Sequence, residues 1–167
     1  FKGKILTPKG IVSCWDRLPE KWTAKDEYYD FENWYTTPQM RTLNVKKEYD
    51  YVCGKTDRFL AQHGYERNGR LYRAVQPNRK TIVLFCHFAV EGVILSRIFS
   101  LSPMILWHNF VALPSSVTTI VTEERRKGTA QFRCLGFGEV SHLYAGGEEP
   151  SFAARFCECY DDDTRHD

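Results

Sequence analysis

The sequence predicts an α/β domain with a buried central strand and a C-terminal antiparallel hairpin, and three observations carry that expectation. Ile82, Val83, Leu84 and Phe85 form a continuous β-branched and aromatic run, the pattern of a strand buried on both faces. Beyond His87 the apolar period changes: Val90, Val93, Ile94 and Ile98 recur at helical spacing, with Leu95 and Phe99 widening the stripe. Further on, residues 117–122 are β-branched and residues 130–137 alternate, with the charged segment EERRKG (123–128) between them as a solvated turn. Two such runs so close together are most simply an antiparallel pair.

Residues 1–44 are irregular and dense in aromatics, with Trp15, Trp22, Tyr28, Tyr29, Phe31, Trp34 and Tyr35 interleaved with charge and with prolines at 8, 19 and 38 that break any long element. Two readings stay open for this stretch: an aromatic lid or insertion over a site, or a satellite core under a long loop. The body, residues 45–145, starts with a helix. Val45, Tyr49, Val52, Cys53, Phe59 and Leu60 fall near one face from 45 to 63, the charged residues fall mostly on the other, and Gly64 is placed to cap the C-terminus. YERNGRLYRAV (65–75) then reads as a surface hairpin turning at Asn68-Gly69 in type I′ geometry. Arg67, Arg70, Arg73 and Arg79 tempt a phosphate-binding reading, but hairpin arginines ordinarily face solvent. Pro103 stops the helix after His87, and Trp107-His108-Asn109 reads as packing with a polar boundary. His142 reads as structural, and residues 146–167 form a tail whose Asp161, Asp162 and Asp163 are expected to fray.

The 167 residues suffice for one domain with a real core. Net charge is only +2, with basic and acidic residues interspersed, so no field arises that would argue for nucleic acid or an anionic membrane. No apolar run approaches the ~20 residues of a membrane span. Cys14, Cys53, Cys86, Cys134, Cys157 and Cys159 lie inside apolar segments and read as reduced cytoplasmic thiols. Cys157-x-Cys159 lacks zinc-knuckle spacing and a second pair, so no metal is expected. Cys86 reads as core packing within the buried strand, with a thiolate nucleophile as the competing idea.

His87 stands where strand gives way to helix. In open α/β sheets ligands bind at the carboxyl ends of strands, and a helix N-terminus there offers N–H donors to an anion. Phe88 and Ala89 are the residues that would supply them. The plainer alternative is a histidine that hydrogen-bonds a neighbouring backbone.

Taken in order, the apolar strand, Cys86-His87, the helix, Ser115-Ser116-Val117-Thr118 and Val140-Ser141-His142-Leu143 resemble the C-terminal part of a histidine phosphatase of the phosphoglycerate-mutase-like superfamily. CWDRLPEKW (14–22), PNRKTIVLFCHF (77–88), LPSSVTTIVTEERR (113–126) and SHLYAGGEEPSFAARF (141–156) resemble a bacterial branch of it, and the resemblance covers nearly the whole chain. It implies a three-layer α/β/α fold and a cytoplasmic, cofactor-free phosphomonoester phosphatase acting through a phosphohistidine on a small phosphorylated substrate. His87 matches the second pocket histidine, which stabilises the transferring phosphoryl group, and Phe88 stands where the commoner pattern has glycine. Phosphoglycerate-mutase-type transfer and a non-catalytic phosphate-binding or structural partner remain as alternatives.

The family opens on Arg-His-Gly, whose histidine is the nucleophile, and later carries a Leu-x-Glu acid. The only Arg-His here is Arg165-His166, which no glycine follows. The resemblance therefore implies that both motifs belong to a segment ahead of Phe1. Element counting points the same way, since a strand buried on both faces needs more neighbours than this sequence supplies. The sheet would be completed by an N-terminal segment or by a second copy of the chain.

Overall fold

The computed structural model describes residues 4–7, 10–76 and 78–151. In chain order these form β1 (Lys4–Thr7), β2 (Gly10–Ser13), α1 (Pro19–Trp22), α2 (Pro38–Thr42), α3 (Val45–Gln62), β3 (Tyr65–Asn68) and β4 (Leu71–Ala74). There follow α4 (Phe88–Phe99), α5 (Pro103–Asn109), β5 (Val117–Arg126), β6 (Thr129–Glu139) and α6 (Ser141–Ala145). The protein is thus mixed α/β. Among the described residues β1 and β2 pair only with each other, and the remaining four strands form one sheet in the order β3-β4-β6-β5. Pro77, Cys157, Cys159 and Asp161–Asp163 lie outside the described residues.

The chain divides into two compact units. The first comprises Phe1–Phe110 with Glu123–Gln131, the second Val111–Thr122 with Phe132–Asp167. The core of the first unit is built from Trp22, Tyr28, Trp34, Met40, Val45, Tyr49, Cys53, Val93, Met104 and Trp107. Trp22, Tyr28 and Trp34 of the first 44 residues therefore pack with the helices: Trp34 is fully buried and meets Tyr49 at 5.2 Å and Trp107 at 5.5 Å, both edge-on.

α3 follows its predicted span. Gly64 terminates it at φ +90, with its N–H on Ala61 O at 3.0 Å. Its apolar stripe buries Val45, Tyr49, Cys53 and Leu60. α4 packs against it through the buried pair Tyr49 Oη and Ser96 Oγ, 3.0 Å apart, and Ser96 Oγ donates on to Leu101 O. The helix after His87 ends before Pro103, as expected, and Pro103 then opens α5. Ser102 caps it by accepting from Met104 N at 3.2 Å, and Pro103 occupies the first turn, where its missing N–H costs nothing.

The β3–β4 hairpin exists, but Asn68 pairs with Leu71, so the turn is Gly69-Arg70. Only Gly69 has positive φ, the sign pattern of a type II′ turn rather than I′. Arg67 does not face solvent. Its guanidinium donates to Tyr72 Oη at 2.7 Å, Arg97 O at 2.6 Å and Ser100 Oγ at 2.8 Å, fastening the hairpin to the end of α4. Arg70, Arg73 and Arg79 are exposed.

The second predicted hairpin is longer than expected. β5 and β6 continue through EERR to a two-residue turn at Lys127-Gly128, and Gly128 O accepts from Ala74 N at 3.1 Å. That tip is anchored on β4, where Tyr72 pairs with Ala130 and Arg73 with Thr129. In the second unit, Gly138 at φ +62 lies against Val111 O, and its N–H donates to Thr118 Oγ1 at 3.1 Å.

The central strand is the principal correction. Residues 81–87 carry no strand pairing, and Ile82, Val83, Leu84 and Phe85 are 41, 68, 54 and 96% exposed. A strand is stable only with a neighbour on its hydrogen-bonding edge, and no described strand runs beside this run. Cys86, expected in the core, is exposed with it.

Candidate functional site

The helix start at His87 forms where the sequence places it, but no strand leads into it. His87 is the N-cap of α4, in extended backbone at φ −102 and ψ 154, and its side chain does not bond the helix. Its carbonyl accepts from Val90 N at 3.0 Å and Glu91 N at 2.9 Å. The imidazole is exposed. The N–H groups of Phe88 and Ala89 belong to the opening turn, where the helix itself offers no acceptor. His87, Phe88 and Ala89 thus share one helix start, with the exposed apolar run 82–85 leading into it. The plainer reading, a histidine tied to neighbouring backbone through its ring, is not what this side chain does.

Phe88 and Ala89 face inward in part. Phe88 packs against the core cluster, and Ala89 O accepts from the indole Nε1 of Trp107 at 3.1 Å. Gly92, one turn on, leaves no room for a side chain, since an added Cβ would overlap the indole nitrogen. Sequence reasoning missed this contact. The available signal was Gly92 itself, a glycine in a helix interior that costs about 1 kcal/mol relative to alanine unless close packing requires it.

Other candidates are occupied structurally. His108 Nε2 accepts from the Arg17 backbone N–H at 3.1 Å, so its proton sits on Nδ1 and donates to Met104 O at 2.8 Å. Burial lowers its pKa and favours this neutral form. The ring stacks on Trp22 at 5.0 Å. Arg17 also donates to Tyr28 Oη at 2.6 Å and lies over that ring. Burial pushes the Cys14 thiol up to about 12 and Cys53 to about 11, which makes both poor nucleophiles. Cys86 is raised too, by desolvation and then by Glu91, which weakens the thiolate alternative. His142 lies exposed in α6.

Among the described residues, surface hollows include two whose linings do not contain His87. One of about 350 Å³ is lined by Leu71, Glu123, Arg125, Arg126, Thr129 and Gln131, among others. The other, of about 370 Å³, is lined by Tyr35, Thr36, Met40, Arg41, Asn44 and Lys46. Among the described residues no group of three or more His, Cys, Asp or Glu side chains is placed to hold a metal ion, and no helix is long and apolar enough to cross a membrane.

Comparison of the chain with protein-family models, with curated proteins and with solved structures finds no match.

Proposed function

We propose that this chain is the second-histidine portion of a phosphomonoester phosphatase that works through a phosphohistidine, with His87 in the phosphate pocket. The observation that carries the reading is the helix start: an exposed imidazole at the N-cap of a 12-residue helix, preceded by an exposed apolar run. In the proposed enzyme a strand bearing Arg-His-Gly lies beside residues 82–86, giving the three-layer arrangement and covering Ile82–Phe85. The resemblance across CWDRLPEKW, PNRKTIVLFCHF, LPSSVTTIVTEERR and SHLYAGGEEPSFAARF supports the same reading.

The chemistry follows from the parts. The nucleophilic imidazole attacks phosphorus, the bond to the leaving alkoxide breaks, and an acid from the same added segment protonates that oxygen. Negative charge accumulates on the non-bridging oxygens. His87 donates a hydrogen bond to one of them, and the Phe88 and Ala89 N–H groups at the positive end of α4 add to the same stabilisation. Water then hydrolyses the phosphohistidine. Hydrolysis is preferred over mutase transfer because a mutase must in addition hold a bisphosphate and guard it from water.

The test is turnover of p-nitrophenyl phosphate by the whole natural gene product in the presence of a chelator. His87→Ala is expected to lower kcat by about 10²-fold or more. Unchanged turnover would remove His87 from the mechanism.

A further inference from the structure

The geometry points to Trp107 as the positioning residue that sets His87, acting through the first turn of α4. The inference rests on the phosphatase reading for its catalytic consequence, but not for its structural content. Two independent contacts converge on one indole. Nε1 donates to Ala89 O at 3.1 Å, two residues after His87, and the ring edge fills the notch left by Gly92. Ala89 and Gly92 are three apart and so lie on one helix face, and both are small. The indole itself is held from behind: Trp107 is 5% exposed and meets Trp34 edge-on at 5.5 Å. Phe88 packs against the same cluster from the residue between.

The consequence for His87 is mechanical. Its ring makes no bond to the helix, so its position depends on where the helix start lies. The His87 carbonyl is already committed to Val90 N and Glu91 N, which makes His87 Cα a rigid extension of the turn that Trp107 grips. Moving that turn moves the imidazole and the Phe88 and Ala89 N–H groups together. An error of about 1 Å in such a group costs about 10²-fold in rate.

Two substitutions break the contact from opposite sides in the whole natural gene product. Trp107→Phe keeps an aromatic ring in the core and deletes the N–H, whereas Gly92→Ala keeps the N–H and displaces the indole. Each is expected to lower kcat roughly 10-fold or more with KM changed little, because the groups act on transition-state charge. The double variant should be no worse than the worse single one. The imidazole resonances of His87, read by NMR, should move in both single variants. Wild-type kcat in both singles while His87→Ala is inactive overturns the proposal, as does an additive double variant or an unmoved His87 resonance. If His87→Ala itself retains full turnover, the phosphatase reading falls. The resonances alone then decide whether the indole sets the ring, a shift supporting it and no shift overturning it.

Discussion

The Arg97 guanidinium grips the Asp57 carboxylate along one edge, with Nε 3.0 Å from Oδ1 and Nη2 2.6 Å from Oδ2. Both side chains are about a quarter exposed, at 27 and 25%, and the pair ties α3 to α4. A fork of this geometry is worth more than an open surface pair. Asp57→Ala is expected to destabilise the chain by about 1–3 kcal/mol, read as a lower urea midpoint at unchanged m-value. A loss below about 0.5 kcal/mol would mean that the helices hold each other by apolar packing and the buried Tyr49–Ser96 hydrogen bond rather than by the ion pair.

His108 provides the pH dependence. Burial lowers its folded pKa below the unfolded value of about 6.5, so the folded state takes up fewer protons than the unfolded one. Its stabilising contribution is therefore present above about pH 6.5 and is lost as pH falls below it, by at most about 1.4 kcal/mol per pH unit for one proton. His108→Phe should be less stable than wild type at pH 8 and should show a shallower loss between pH 6.5 and 5. Parallel curves for the two proteins would remove His108 from the acid response.

Gly64 is constrained twice, by φ +90 and by an added Cβ that would stand 2.6 Å from Gln76 O. Gly64→Ala should cost about 1–3 kcal/mol, measured by chemical denaturation. Gly54, in the middle of the same helix with nothing within 4 Å of an added Cβ, is the control. There alanine should stabilise by about 0.5–1 kcal/mol.

Val83 separates the chain by itself from the proposed complete enzyme. In the chain alone it is 68% exposed, so Val83→Lys should change stability by no more than about 0.5 kcal/mol. In the whole natural product, if a strand covers residues 82–86, the same substitution buries a charge and should cost about 3 kcal/mol or more, seen as a fall in thermal midpoint. Equal, small effects in both proteins would count against the covering strand.

These elements also show what the sequence made legible. α3 and α4 were readable because their apolar stripes run for several turns, and Gly64 because a helix end favours glycine there. The two hairpins were readable as pairs, yet not in detail. The Gly69-Arg70 turn depends on the register that Tyr65 and Tyr72 adopt, and β5 continues through charged EERR because Ala74 and Arg73 offer its hairpin tip an edge to bond. α5 was not legible as a helix, because proline marks both an end and a beginning and the deciding cap at Ser102 is a single hydroxyl. The run 82–85 is legible as apolar, but its exposure is not, since burial depends on a neighbour that no pattern within the run supplies. At the candidate site His87 was visible as a change of period. Trp107 was not, because its contact with Ala89 joins positions 18 apart in sequence.

The tip of the long hairpin reaches β4 through a few ladder bonds between distant parts of the chain, Tyr72 with Ala130 and Arg73 with Thr129. Each can form only after the whole intervening segment has been looped out, a cost in chain entropy that so few bonds scarcely offset. This seam should therefore close late in folding and open early in the native state. The amides of Ala74 and Ala130 should exchange with solvent well before those of Val93 and Ile98 in α4, so the four-stranded sheet comes apart at its middle before the helices loosen.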